Sequence, residues 1–342
     1  MADASAAAKP CHEETIYLPV WDKDLCWFLS MNLALFHKPI PEFQNYVPNV
    51  KKDFEKDKEA EEFLQKILQH YSNKTNQDNK TYGQIENLRI NDKVAAFFSG
   101  SSDFQINGAS AQRAEDYLLG LQKTHLFHQY ITTISVGHDF MNIDAMNWDI
   151  LLSLDLNTRP AERKNGLTLE EYNDRDVLNK DGKLEAVRSE KSITPLLFLV
   201  QITAGRGSST VADSETNILE NITVPAGFLW KMDPSKPMEV KEKSEELTCS
   251  LISILENTGD AHYNCAVKCS ALGSSVWYFY GGGVGVTGGG KSISEMDKEI
   301  KEKITFASLH ALLNHDNYSR LKKTSVLLVY EVVKTPSKSG GT

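Results

Sequence analysis

Residues 25–36 read LCWFLSMNLALF, a run that is apolar on nearly every side and stops short of Pro39 and Pro41. A helix without a polar face belongs in a core, and prolines following it bring it to an end. Asp24 stands at the N-cap position, where a carboxylate accepts from the first free N–H groups. The run therefore predicts a buried helix, and the rest of the chain must supply the surfaces that cover it.

Working outward, residues 53–70 place Ala60, Phe63, Leu64, Ile67 and Leu68 at the i, i+3, i+4 spacing of a second helix. Its charged run over 51–62 reads as the solvated face. Residues 72–84 are polar and read as a loop. A third helix is predicted over 109–127, with Ala114, Tyr117, Leu118 and Leu121 on one stripe. From Tyr130 onward the pattern changes to short β-rich segments: ITTISV, DILLSLDL, TPLLFLVQI, ILENITVPAGFLW, CSLISIL, HYNCAVKC, SVWYFY and SVLLVYEVV. A helical front half followed by a mostly antiparallel sheet is an α+β arrangement. Residues 1–12 and 335–342 lack apolar anchors and read as disordered tails.

Composition excludes several classes. The chain has 342 residues, of which 41% are hydrophobic, 24% charged and 9% aromatic, as in ordinary globular proteins. No apolar run approaches the ~20 residues of a membrane helix. Thirty-seven basic against 46 acidic residues leave a net charge of -9, which argues against a sequence-independent nucleic-acid partner. The opening MADASAAAKPCHEE has neither the basic nor the apolar part of a secretory signal, so the expected location is cytoplasmic or nuclear. Its thiols are then reduced, and the sequons at Asn73, Asn79, Asn221 and Asn317 are chance matches. Five cysteines with no CxxC pair exclude a disulfide framework and argue against a zinc ribbon. No metal or cofactor is implied.

Candidate chemistry begins with Cys26, in the first turn of the buried helix, where the positive dipole end lowers a thiol's pKa. Asp22 and Asp24 oppose that effect, and a small core hydrophobe is the plain alternative. His262 opens HYNCAVKC directly after the loop 257–261, which puts its ring at a sheet edge. One cysteine with a distant histidine is the arrangement of papain-like thiol catalysis. A competing signal is Gly285-Val-Thr-Gly-Gly-Gly290-Lys291-Ser292, which satisfies G-x-x-x-x-G-K-[ST]. A phosphate loop needs several parallel strands after it, and the remaining residues supply only SVLLVYEVV, so a Gly-rich hairpin is the simpler reading. His125 with His128, and Cys265 with Cys269, are explained by packing.

Taken together, these segments resemble the ubiquitin-specific protease family of papain-like cysteine deubiquitinases. Cys26-Trp27-Phe28-Leu29-Ser30-Met31 with Leu33-Ala34-Leu35 is similar to its cysteine box. Ala111-Gln112-Arg113-Ala114-Glu115-Asp116-Tyr117-Leu118 is similar to its Q-Q-D-A-x-E-F-L helix. Ala261-His262-Tyr263-Asn264-Cys265-Ala266-Val267-Lys268 with Trp277-Tyr278-Phe279-Tyr280 resembles its histidine box, and Ser325-Val326-Leu327-Leu328-Val329-Tyr330-Glu331 its closing strand. Residues 195–202 and 222–229 resemble its intervening strands. The resemblance implies a single α+β domain over 13–334, with a helical thumb (13–135), zinc-free fingers (136–184) and an antiparallel palm sheet (185–334).

It further implies a cysteine isopeptidase that removes ubiquitin or a ubiquitin-like modifier from lysine side chains. Cys26 is then the nucleophile and His262 the base, with Gln112, Arg113, Tyr263 and Trp277 binding the modifier's tail. The chain departs from the family at three positions. Gly281 and Gly282 stand where an Asp or Asn orients the histidine, with Glu295 and Asp297 as acids that could fold back in its place. Trp21 stands where an oxyanion-binding Asn is usual. Arg113 replaces an Asp that pairs with arginine in the ubiquitin tail. These departures motivate the alternative of a catalytically inactive scaffold that binds a ubiquitin-like protein or a partner.

Overall fold

The computed structural model of the chain describes residues 16–19, 25–47, 58–72, 113–122, 124–137, 184–185, 196–203, 218–225, 230–232, 239–240, 246–259, 262–271, 274–281 and 291–333. The helix read from LCWFLSMNLALF is there. After a short strand β1 (Tyr17–Leu18), α1 (Cys26–Phe36) is buried at every residue. Its N-cap is Leu25, which offers no side-chain acceptor; Asp24 lies outside the described residues. Four further helices follow: α2 (Pro41–Gln44), started by its proline, α3 (Lys58–Ser72), α4 (Ala114–Gln122) and α5 (His125–Tyr130).

The single helix expected over 109–127 is therefore two. The break falls at Thr124, whose extended backbone caps α5 and whose Oγ1 donates to the Leu121 carbonyl at 2.6 Å. A threonine hydroxyl that bonds the preceding turn competes with helix continuation.

The β-rich half gives β2 (Ile131–Gly137), β3 (Leu184–Glu185), β4 (Leu197–Thr203), β5 (Asn221–Pro225), β6 (Trp230–Met232), β7 (Glu239–Val240), β8 (Glu246–Asn257), β9 (Tyr263–Ala271), β10 (Ser274–Tyr280), β11 (Lys291–Ser292), β12 (Thr305–Phe306) and β13 (Ser325–Val333). Eight of these form one sheet in the order β12-β10-β9-β8-β13-β4-β2, with β5 also paired to β8. β8 is long enough to serve two neighbours on one edge: β5 pairs with its first half and β9 with its second. Pairing is antiparallel except for β2 with β4, which run parallel in the register Ile131↔Leu197 to Gly137↔Thr203. β3, β6 and β7 form a small separate antiparallel sheet.

Alternation along the strands gives the large sheet two apolar faces. Tyr263, Cys265, Val267, Tyr278 and Tyr280 belong to the core that includes α1, α3, α4 and α5. Ala266, Trp277 and Phe279 belong to a second core, which Phe306 of the edge strand β12 joins, on the face covered by the short helices α7 (Leu309–Leu313) and α8 (Leu321–Thr324). A further helix, α6 (Lys298–Ile304), precedes them. The result is a mixed fold of helices and a largely antiparallel sheet. Among the described residues, no helix is long and apolar enough to cross a membrane.

Candidate functional site

Three hydrogen bonds lay α1 along the middle of the sheet. Ser30 Oγ donates to the Tyr263 carbonyl at 3.1 Å, Ser253 Oγ donates to the Ala34 carbonyl at 2.7 Å, and His37 Nε2 lies 3.3 Å from the Lys268 carbonyl. Ser30 to His37 and Tyr263 to Lys268 advance together, so α1 and β9 run in the same direction. Cys26 is one turn before Ser30, about 6 Å further back along the helix axis. That step carries it toward the start of β9, the end at which His262 stands.

The backbone of His262 is held tightly. Its N–H donates to Gly259 O at 2.9 Å, and its carbonyl accepts from Thr258 N at 2.9 Å and Thr258 Oγ1 at 3.2 Å. Gly259 has φ 101°, which only glycine adopts without strain. The Gly259 N–H donates to Asn257 Oδ1 at 3.0 Å, closing the turn on its β8 side. Within α1 there is no acidic residue in the first turn to offset the positive end of the helix dipole, at which Cys26 is the first helical residue.

Tyr263 is fully buried and joins three elements. Its hydroxyl donates to Glu115 Oε2 on α4 at 2.7 Å and accepts from Asn257 Nδ2 on β8 at 3.2 Å. Burial first, then the charge of Glu115, pushes the phenol well above its ordinary range, so it stays a proton donor. Tyr117, on the same helix as Glu115, donates to Asn32 Oδ1 on α1 at 3.0 Å. The helix carrying Cys26, the helix carrying Glu115 and the strand that begins at Tyr263 are thus tied to one another.

The other sequence-predicted residues fall elsewhere. Trp277 is fully buried in the second core, on the sheet face opposite α1, so its indole does not share a face with Cys26. Arg113 is exposed just ahead of α4, where its carbonyl accepts from Asp116 N at 3.1 Å and Tyr117 N at 3.3 Å. Burial raises the Asp116 carboxyl, while neighbouring Arg113 pulls it down. Gln112, Trp21 and residues 282–290 lie outside the described residues. Lys291 and Ser292 form β11, paired with Leu18 and Tyr17, whereas in a phosphate loop they would open a helix. Glu295 accepts from Ser292 N and Oγ, both at 2.9 Å, in a capping box. Asp297 is exposed at the N-cap of α6. Two other thiols are poor nucleophile candidates: burial raises Cys249 to about 12 and Cys265 well above its ordinary value.

A cluster beside His262 escaped the sequence reading. Glu256, fully buried at the end of β8, accepts from Asn264 Nδ2 at 2.7 Å, Thr324 Oγ1 at 2.9 Å, and Arg320 Nε and Nη2 at 3.3 and 3.1 Å. The signal available was a glutamate in the apolar register of CSLISILEN, two positions past Ile254. Its cation lies 64 positions away, and spacing alone does not connect them.

No family model matches the chain, and no curated protein matches it. Among solved structures, the chain is similar to the SAGA DUB module Ubp8/Sgf11/Sus1/Sgf73 bound to monoubiquitin, with a TM-score of 0.44 and 11% identity, covering 97% of this chain and 73% of that one. It is similar to the same module bound to ubiquitin aldehyde, with a TM-score of 0.43 and 10% identity, covering 96% and 72%.

Proposed function

We propose that the chain is a cysteine isopeptidase that releases ubiquitin or a ubiquitin-like modifier from lysine side chains. The observation that carries the reading is the Ser30–Tyr263 hydrogen bond, because it aims the Cys26 end of α1 at the strand mouth where His262 stands. In this mechanism His262 takes the Cys26 proton, and the thiolate sulfur bonds to the carbonyl carbon of the modifier's last glycine. N–H groups at the start of α1 receive the oxyanion. The C–N bond then breaks as His262 returns the proton to the departing lysine amine. Water, deprotonated by the same imidazole, cleaves the thioester and regenerates the thiol.

In the same reading, residues 13–135 form a thumb, 136–184 the fingers and 185–334 the palm of one catalytic domain working in the cytoplasm or nucleus. Gln112 and Arg113 meet the modifier's tail. Tyr263 acts from beneath by holding Glu115 at the strand mouth, and Trp277 by packing β10, which leads to Gly281. Exposed Arg113 favours a tail with an acidic or neutral residue where ubiquitin's has arginine, since like charges there repel.

A second reading, an inactive scaffold for a ubiquitin-like protein, is favoured by the burial of Cys26, which is 4% exposed, and by the missing side chain at Gly281. One experiment separates the two. The purified protein and its Cys26→Ala variant are incubated with ubiquitin and ubiquitin-like proteins bearing a C-terminal thiol-reactive warhead, and adducts are read by mass spectrometry. An adduct that depends on Cys26 supports the enzyme. Binding of a modifier without any adduct supports the scaffold and ends the isopeptidase reading.

A further inference from the structure

Asn264 is the second residue of β9, two positions after His262. His262 itself stands ahead of β9, in the turn closed on Gly259 and Thr258, so its ring is not bound to the alternation of the strand, and Cα atoms two residues apart lie within about 7 Å. Asn264 is buried, and the orientation of its amide is fixed. Nδ2 donates to Glu256 Oε1 at 2.7 Å, and a carboxylate only accepts, so the opposite assignment would set two acceptors against each other. The Arg320 guanidinium balances the Glu256 charge from the other side at 3.1 Å.

This leaves Asn264 Oδ1 directed away from β8, toward β10. It is buried and has no hydrogen-bond partner among the described residues. A buried acceptor without a donor is unfavourable and marks a place where a donor belongs. Facing it is Gly281, the next cross-strand position after the Tyr280↔Cys265 pair. A Cβ at position 281 would lie 2.9 Å from Oδ1 and 3.0 Å from the Phe279 ring. The amide of Asn264 therefore takes the space that a side chain at 281 would fill, and the absence of one there is what admits it.

We propose that Asn264 is the positioning residue of His262, its Oδ1 accepting one imidazole N–H so that the other ring nitrogen is the basic one turned to Cys26. The inference rests on the Cys26–His262 reading and supplies the orienting group that position 281 lacks. Such bonds are often long before substrate binds and tighten in the reacting complex. Glu256 holds the amide from behind, and Arg320 and Thr324 hold Glu256. The series Arg320, Glu256, Asn264 leads from the N-cap of α8 to the strand mouth at His262.

The test needs no modifier. Cys26 alkylation by iodoacetamide at pH 7 is followed by peptide mass spectrometry, and the His262 tautomer by 15N NMR, in the wild type, Asn264→Ala, His262→Ala and the double variant Asn264→Ala/Gly281→Asp. Asn264→Ala should slow Cys26 alkylation about 10-fold, as loss of imidazole orientation does, and shift the proton between the two ring nitrogens. Adding Gly281→Asp, whose carboxylate grows into the vacated space, should restore both. Should Asn264→Ala not fold, Gly281→Ala displaces Oδ1 while keeping the amide, and the same two changes are expected. Unchanged rate and tautomer in the folded variant would overturn the inference. If His262→Ala slows alkylation and Asn264→Ala does not, the positioning role alone falls. If His262→Ala has no effect, the Cys–His reading falls with it.

Discussion

His37 makes the folded state sensitive to pH in a way that can be calculated. It caps the C-terminal end of the helix whose other end carries Cys26, and it is 2% exposed. Nδ1 lies 3.1 Å from the Leu33 carbonyl and Nε2 3.3 Å from the Lys268 carbonyl. A neutral ring has one N–H and satisfies one of these acceptors at a time, whereas an imidazolium would satisfy both. Burial nevertheless dominates and holds the ring down from 6.5 to about 4; the Lys268 and Leu33 carbonyls pull it up, and the charge of Lys38 lowers it further.

Because the folded value is the depressed one, the unfolded chain binds the proton first as pH falls. Nothing is lost above 6.5, stability declines between 6.5 and about 4, and the loss then levels off. The penalty is about 2 kcal/mol at pH 5 and about 3 kcal/mol at the plateau. The assay is urea unfolding of the wild type and His37→Gln at pH 7.5 and pH 5. Glutamine keeps a donor for one carbonyl and does not titrate, and carboxylates and other histidines cancel in the difference. The wild type should lose about 2 kcal/mol more than the variant between the two pH values. Equal losses would refute the claim that His37 is held neutral in the fold.

Other perturbations have equally definite outcomes. Tyr263→Phe removes the hydroxyl between Glu115 and Asn257 and should destabilise by about 1–2 kcal/mol in urea unfolding; an unchanged midpoint would show that the link between α4 and β9 carries no weight. Glu256→Gln presents an amide to donors on Asn264, Arg320 and Thr324 and should lower stability by about 2–4 kcal/mol in the same assay. An unaltered midpoint would remove Glu256 from the account of how Asn264 is held. In the native protein at pH 8, a thiol reagent should leave Cys249 and Cys265 unmodified, as their raised values require; labelling of either at the rate of Cys26 would contradict their burial.

What the sequence discloses depends on how local the cause is. LCWFLSMNLALF announces a buried helix because its apolarity is continuous, and SVLLVYEVV and CSLISIL announce β13 and β8 because their β-branched and apolar content is dense. The single helix predicted over 109–127 is divided in the structure because the apolar stripe continues through Thr124 and only the hydroxyl bond to Leu121 breaks it. The parallel pairing of β2 with β4 is equally hidden, since Ile131 and Leu197 are partners across a long intervening stretch. α7 and α8 are too short to show a period.

In the candidate site, Cys26 and His262 could be singled out by residue type and position. That Tyr263 lies inward and Trp277 on the far face follows from strand alternation once β9 and β10 are paired in register. The Glu256–Arg320 pair needed the fold itself, because the two residues meet only when the segment holding α8 covers the second face of the sheet.

The most direct test of the central claim is turnover of a lysine-linked modifier conjugate, one chosen for its adduct with the wild type, by the wild type, Cys26→Ala and His262→Ala, followed by release of the free modifier. The account predicts cleavage by the wild type and a loss on the order of 1,000-fold or more in each variant. Absence of cleavage by the wild type, or cleavage that survives His262→Ala, would contradict it.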